Sequence, residues 1–105
     1  MTSRLSLIAE AEADIGEAAG WYEERRRGLG LEFTRTVRVL LATIERDPLR
    51  YPYARRQVRR ALVRRFPYAV YFVADAEATV VLGCLHVRRD PQAWQGRAEG
   101  VPPSN

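Results

Sequence analysis

The run "YAVYFVADAEATVVLGCLHV", residues 68–87, constrains the fold more than any other stretch. Its two halves are rich in β-branched and aromatic residues, and Asp75–Glu77 make a short polar turn between them, so the run predicts a β-hairpin. From Val80 to Leu85 it is apolar on both faces. A strand of that kind belongs at the sheet centre, with helices on one side and a further cover on the other.

The first half of the chain supplies the helices. "EAEADIGEAAGWYEERRR" sets Ala11, Ile15, Ala18, Ala19 and Tyr22 at helical spacing, with acids early and Arg25, Arg26 and Arg27 late, the charge order that complements a helix dipole. Gly28 and Gly30 then provide a stop and a tight reversal. "LEFTRTVRVLLATIERDP" places Phe33, Val37, Leu40, Leu41 and Ile44 on one stripe, ended by Asp47 and Pro48. Two amphipathic helices joined so closely form an antiparallel hairpin whose apolar side needs the sheet as cover. "RLSLI" before them predicts a short strand, "YPYARRQ" after them a loop, and "VRRALVRRF" an exposed or edge strand stopped by Pro67. Alternation along that strand would put Arg60, Leu62, Arg64 and Phe66 on one side. The expected fold class is α+β: an N-terminal strand, an antiparallel helical hairpin, then a mostly antiparallel sheet of three further strands, β-α-α-β-β-β.

At 105 residues the chain suits one domain, expected over 1–97 with a frayed tail at 98–105. Neither a signal peptide nor a membrane span fits the opening residues, so the expected location is cytoplasmic. With one cysteine and one histidine, no intramolecular disulfide or clustered metal site is expected, and no nucleotide loop or other cofactor motif is present. All 17 basic residues are arginines. Residues 1–47 hold seven of them against nine acids, and residues 48–105 hold ten against four, which makes the second half the anion-facing one.

"AEADI" opening the first helix, "WYE" near its end, "LEF" opening the second, "RRFPYAVYF" and "HVRRDPQAWQGR" together resemble the RelE/ParE superfamily of toxins from bacterial toxin–antitoxin modules. The resemblance runs from Leu5 to Arg97 and is strongest to the plasmid-stabilisation branch. It implies a small growth-inhibiting toxin, neutralised by a cognate antitoxin of acidic, ParD-like character that wraps it. Members resembling RelE cleave messenger RNA in the ribosome, and members resembling ParE poison DNA gyrase.

An RNA-cleaving site needs a base for the 2′-hydroxyl, cations for the phosphate and an acid for the leaving oxygen. His86 is the one side chain with a suitable unperturbed pKa, although its place at the end of an apolar strand, in phase with Leu82 and Cys84, is one where a hydrogen-bonded structural histidine is common. A ribonuclease would draw on His86, Arg64 or Arg65, Arg88 and a tyrosine such as Tyr71. Yet the phenol that RNA-cleaving relatives carry near the chain end is replaced here by Trp94, whose indole offers a donor but neither acid nor base. The lysine-based variant is excluded because the chain has no lysine. The residues therefore point to a ParE-like toxin, with a RelE-like ribosome-dependent endoribonuclease as the alternative and a non-toxic binding remnant as a third reading. Arg59, Arg60, Arg64, Arg65, Arg88, Arg89 and Trp94 are the candidates for holding an anion or a partner. The rival role for the arginine block is a solvated edge that discourages aggregation. Tyr68 and Tyr71 fall on opposite faces of their strand, Cys84 reads as a small buried apolar residue, and Asp90 with Pro91 reads as the turn out of the sheet.

Overall fold

A computed structural model describes residues 4–89 and 91–101. The chain runs β1 (Arg4–Leu7), α1 (Ala9–Arg25), α2 (Leu29–Arg46), a single 3₁₀ turn (Pro48–Arg50), β2 (Tyr53–Arg55), β3 (Val58–Leu62), β4 (Tyr68–Ala74), β5 (Ala78–His86) and α3 (Gln92–Glu99). The sheet order is β1-β5-β4-β3-β2, with β1 parallel to β5 and every other pair antiparallel. This is the expected α+β layout, extended by one short strand and one short helix. No described helix is long and apolar enough to cross a membrane.

The helical hairpin closes as its glycines predict. Gly28 takes the left-handed conformation at φ 90°, which costs a residue with a Cβ more than glycine. Its N–H and that of Gly30 donate to the Glu23 carboxylate at 3.0–3.1 Å, so α1 caps the start of α2. Phe33, Val37 and Ile44 on α2 and Ala11 and Ala18 on α1 are buried against Val70, Phe72, Val81 and Cys84 of the sheet. Tyr22, Phe33, Phe66 and Tyr68 form one ring cluster with centroids 4.9–6.0 Å apart, joining both helices to β4.

The region 51–67 departs from the sequence reading in two ways. Tyr53–Arg55 is a short edge strand, not a loop; it pairs with β3 around a tight turn in which Arg56 has φ 51°. The arginine-rich strand also ends early, at Leu62, and residues 64–66 turn. Phe66 is drawn inward by the ring cluster, and the turn is closed by Val63 N–H donating to Tyr68 O at 2.8 Å. Arg64 and Arg65 therefore do not join Arg60; with Leu62 they border a space beside α2.

β5 has neighbours on both sides, although the middle strand is β4. It carries a bulge: Phe72 lies opposite Val81 and Tyr71 opposite Gly83, which leaves Leu82 as the extra residue. Leu82 consequently packs with Leu85 on the face away from the helical hairpin, while Val81 and Cys84 face it. The expectation that His86 is in phase with Leu82 fails for this reason; in phase with Cys84 it holds.

That second face is covered by α3. Trp94 is buried and stacks on Tyr71 with centroids 4.9 Å apart at 18°, and Ala98 packs beside it. The sequence reading had only an exit turn here. Of the expected tail, Ala98 and Glu99 belong to α3, and residues 102–105 lie outside the described residues. So does Asp90, on which the predicted Asp-Pro turn rests.

Candidate functional site

β1 pairs with β5 only as far as Val81, because the chain leaves β1 at Ile8 to begin α1. Beyond that point the outer edge of β5 has no strand neighbour among the described residues, and two side chains take its place. Asp14 Oδ2 accepts the Cys84 N–H at 3.1 Å, and Arg97 donates to Leu82 O at 2.9 Å and to Asp14 at 2.7 Å. The pair is mostly buried, with 8% of the Asp14 side chain and 21% of Arg97 exposed. Asp14 comes from the helix on one face and Arg97 from the helix on the other, and they meet over Gly83. A Cβ there would lie 2.8 Å from the guanidinium and 3.0 Å from the carboxylate. Glycine is needed for the pair to close.

Above this clamp a cleft of about 480 Å³ opens between the flank of α1 and the end of β5, with Trp21, Tyr22, Tyr68, Cys84, His86 and Arg89 among its lining. His86 is half-buried; its Nδ1 accepts the Arg88 N–H at 3.1 Å, and its ring meets Tyr68 edge-on at 5.5 Å. Nδ1 thus holds the turn after β5. Burial, with a smaller contribution from Tyr68, raises the Tyr22 phenol above its ordinary value, and burial is also the main cause of the rise at Tyr68.

Cys84 is buried, and its thiol is pushed up from 9.0 to about 12, first by burial and then by the Asp14 carboxylate. A thiol reagent at mildly alkaline pH is expected to leave the folded protein unmodified and to label it once denatured; fast labelling of the native state would contradict the buried assignment. The folded state holds this proton more tightly than the unfolded state. Stability from this source is complete below 9.0 and is lost as pH rises towards about 12.

The arginines separate into distinct environments. Arg59 holds the loop between α2 and β2: it donates to Leu49 O, Tyr51 O and the Tyr53 hydroxyl, and its guanidinium lies 3.9 Å from the Tyr53 ring centroid. Arg64 and Arg65 border a groove of about 440 Å³ against α2, beside Val39 and Leu62, which are 69% and 61% exposed. Arg60 points to the other face, where it lines a cavity with Arg55 and Arg89. Arg88 is exposed, and Trp94 lies in the core.

The residues expected for a ribonuclease are thereby dispersed. His86 borders the cleft beside α1, Arg64 and Arg65 the groove beside α2, and Tyr71 is buried under Trp94 on the opposite face. Asp14 and Arg97 escaped the sequence reading. Asp14 and Arg97 are 83 positions apart, and nothing local marks them as a pair. Among the described residues no group of His, Cys, Asp or Glu could hold a metal ion.

No family model matches the sequence, and no curated protein matches it significantly. Solved structures do. The chain superposes on a chain of the chromosomal ParDE TA system from P. aeruginosa with a TM-score of 0.73 and 15% identity, covering 81% of this chain and 96% of the other. At that identity the likeness is one of fold, and the fold is the RelE/ParE-like one that the sequence signatures lead one to expect.

Proposed function

We propose that the chain is the toxin of a type II toxin–antitoxin module, held by a cognate acidic, ParD-like antitoxin, and that it inhibits DNA gyrase by binding rather than by cutting RNA. The fold likeness to a ParDE chain supports the module. The observation that carries the binding mode is that Tyr71, stacked under Trp94, and Arg64 and Arg65, beside α2, lie away from the cleft that His86 borders, where the neighbouring phenol, Tyr68, is packed into the ring cluster. A general base and its phenol partner must lie within hydrogen-bond reach of one reacting phosphate. His86 and Tyr71 lie on opposite sides of the sheet.

The antitoxin surface in this reading is the groove where Arg64 and Arg65 flank the exposed Val39 and Leu62. Thr36, Val39, Leu40 and Thr43 recur there at the spacing of a single helix face. Apolar positions edged by cations suit an amphipathic segment with acidic flanks. Arg88 and Arg89 remain exposed for the same partner or for the target. Arg59 and Trp94 serve the fold instead.

His86→Ala is the test. For a binder, induced expression of the variant still arrests growth, provided circular dichroism shows it folded. Loss of arrest by a folded variant would transfer the reading to the RelE-like endoribonuclease.

A further inference from the structure

We propose that the cleft between α1 and the end of β5 binds a free aromatic α-amino acid as its zwitterion, with Glu17 taking the ammonium group and Arg89 the carboxylate. Asp14, Glu17, Ala18 and Trp21 recur at the spacing of one helix face, and that face forms the α1 wall of the cleft. Tyr68 and His86, directly opposite one another in the β4–β5 register, line the strand side. Arg89 follows them: its N–H donates to His86 O at 2.9 Å, which fixes the turn that brings its side chain to the lining.

The ion pairs among the described residues are Arg26–Glu32 and Asp14–Arg97, so Glu17 and Arg89 border one cleft without neutralising each other. Asp14, the other acid of the lining, is spent on Arg97 and on the Cys84 N–H. Arg89 also borders the cavity of Arg55 and Arg60, but its charge acts in this cleft. Burial first and Cys84 next raise the Tyr68 phenol; Arg89 works against that rise and Glu17 adds to it. A simple anion would satisfy Arg89 and be repelled by Glu17, and a simple cation the reverse. A ligand carrying one charge of each sign, close together, satisfies both, and an α-amino acid is such a ligand.

The rest of the lining selects the side chain. Trp21, 48% exposed, and the rings of Tyr22 and Tyr68 offer aromatic surface against which a ligand ring packs edge-on or offset. Both phenols are raised above their ordinary value and stay protonated, so they add no further charge. In the neutral His86 ring Nδ1 accepts the Arg88 N–H, which leaves Nε2 to carry the proton and serve as a second donor for the carboxylate. The volume of about 480 Å³ suits a ligand of this size.

The test is calorimetric titration of the whole chain at neutral pH with L-phenylalanine, N-acetylphenylalanine, phenylalanine amide and glycine. Phenylalanine should bind saturably, and each of the others at least about tenfold more weakly, since each lacks one charge or the ring. Glu17→Gln should weaken phenylalanine about tenfold without weakening N-acetylphenylalanine, which has no ammonium group for Glu17 to hold. Arg89→Gln should do the same with phenylalanine amide as the ligand that is not weakened. Arg88→Gln, exposed like the other two positions but outside the lining, should change nothing. Circular dichroism checks that all three variants fold. No saturable binding of phenylalanine, equal affinity for the four probes, or equal losses in Glu17→Gln, Arg89→Gln and Arg88→Gln would overturn the site.

Discussion

Replacing Phe33 by alanine is expected to destabilise the protein by about 4 kcal/mol, the middle of the range for deleting a large buried aromatic side chain. Phe33 is completely buried, and its ring lies 5.1–5.4 Å from those of Tyr22, Phe66 and Tyr68. It is the point where α1, α2, β4 and the 63–67 turn meet. Removing it deletes apolar burial, leaves a cavity that three rings cannot easily fill, and releases the contact that turns Phe66 inward. For a domain of this size that loss corresponds to a melting temperature lower by roughly 20 °C. Denaturant unfolding with an unchanged slope should give the same figure. A loss below about 1 kcal/mol would mean that the ring cluster is not the joint between hairpin and sheet.

Asp14→Ala is expected to cost about 3 kcal/mol, at the lower end for breaking a buried ion pair, because Arg97 keeps part of its exposure. The Cys84 N–H loses its acceptor, and the Arg97 guanidinium loses its counter-charge while keeping Leu82 O. Arg97→Ala leaves the Asp14 carboxylate holding a backbone N–H, so its cost should be smaller. The Asp14→Ala/Arg97→Ala double variant should cost less than the sum of the single variants, since it leaves no orphaned charge. Additive losses would show that the clamp does not act as a pair. Gly83→Ala probes the same clamp sterically and should separate the two side chains without removing either.

The helical hairpin was legible because its signals are local. The stripe through Phe33, Val37 and Ile44, the glycines at 28 and 30, and the hairpin formed by residues 68–87 each lie within one segment. The demand for a second cover over Val80–Leu85 was legible too, but not what met it. α3 has eight residues and a short apolar side made of Trp94 and Ala98, too little for periodicity to register. Its docking is visible only once Tyr71 is in place. The bulge at Leu82 reverses the phase of everything upstream in β5 relative to His86, and a strict period of two could not anticipate it. Phe66 illustrates the same limit: an early end to the arginine-rich strand follows from burial against rings up to 44 positions away.

The candidate site was legible in residue type and not in arrangement. Composition marked the arginine-rich second half, and Arg60 and Arg89 do share a cavity. Alternation separates Arg60 from Arg59, which holds backbone carbonyls, but not from Arg64, which a turn carries with Arg65 to the α2 side. Trp94 is of a type that serves either a partner surface or core cover, and its stack on Tyr71 gives it to the core.

The most direct test of a gyrase-binding toxin is a supercoiling assay with the purified chain, relaxed plasmid, gyrase and ATP. The account predicts that the plasmid stays relaxed in proportion to added toxin, and that His86→Ala inhibits as well as the unaltered chain. Unimpeded supercoiling by gyrase in the presence of folded toxin would contradict it.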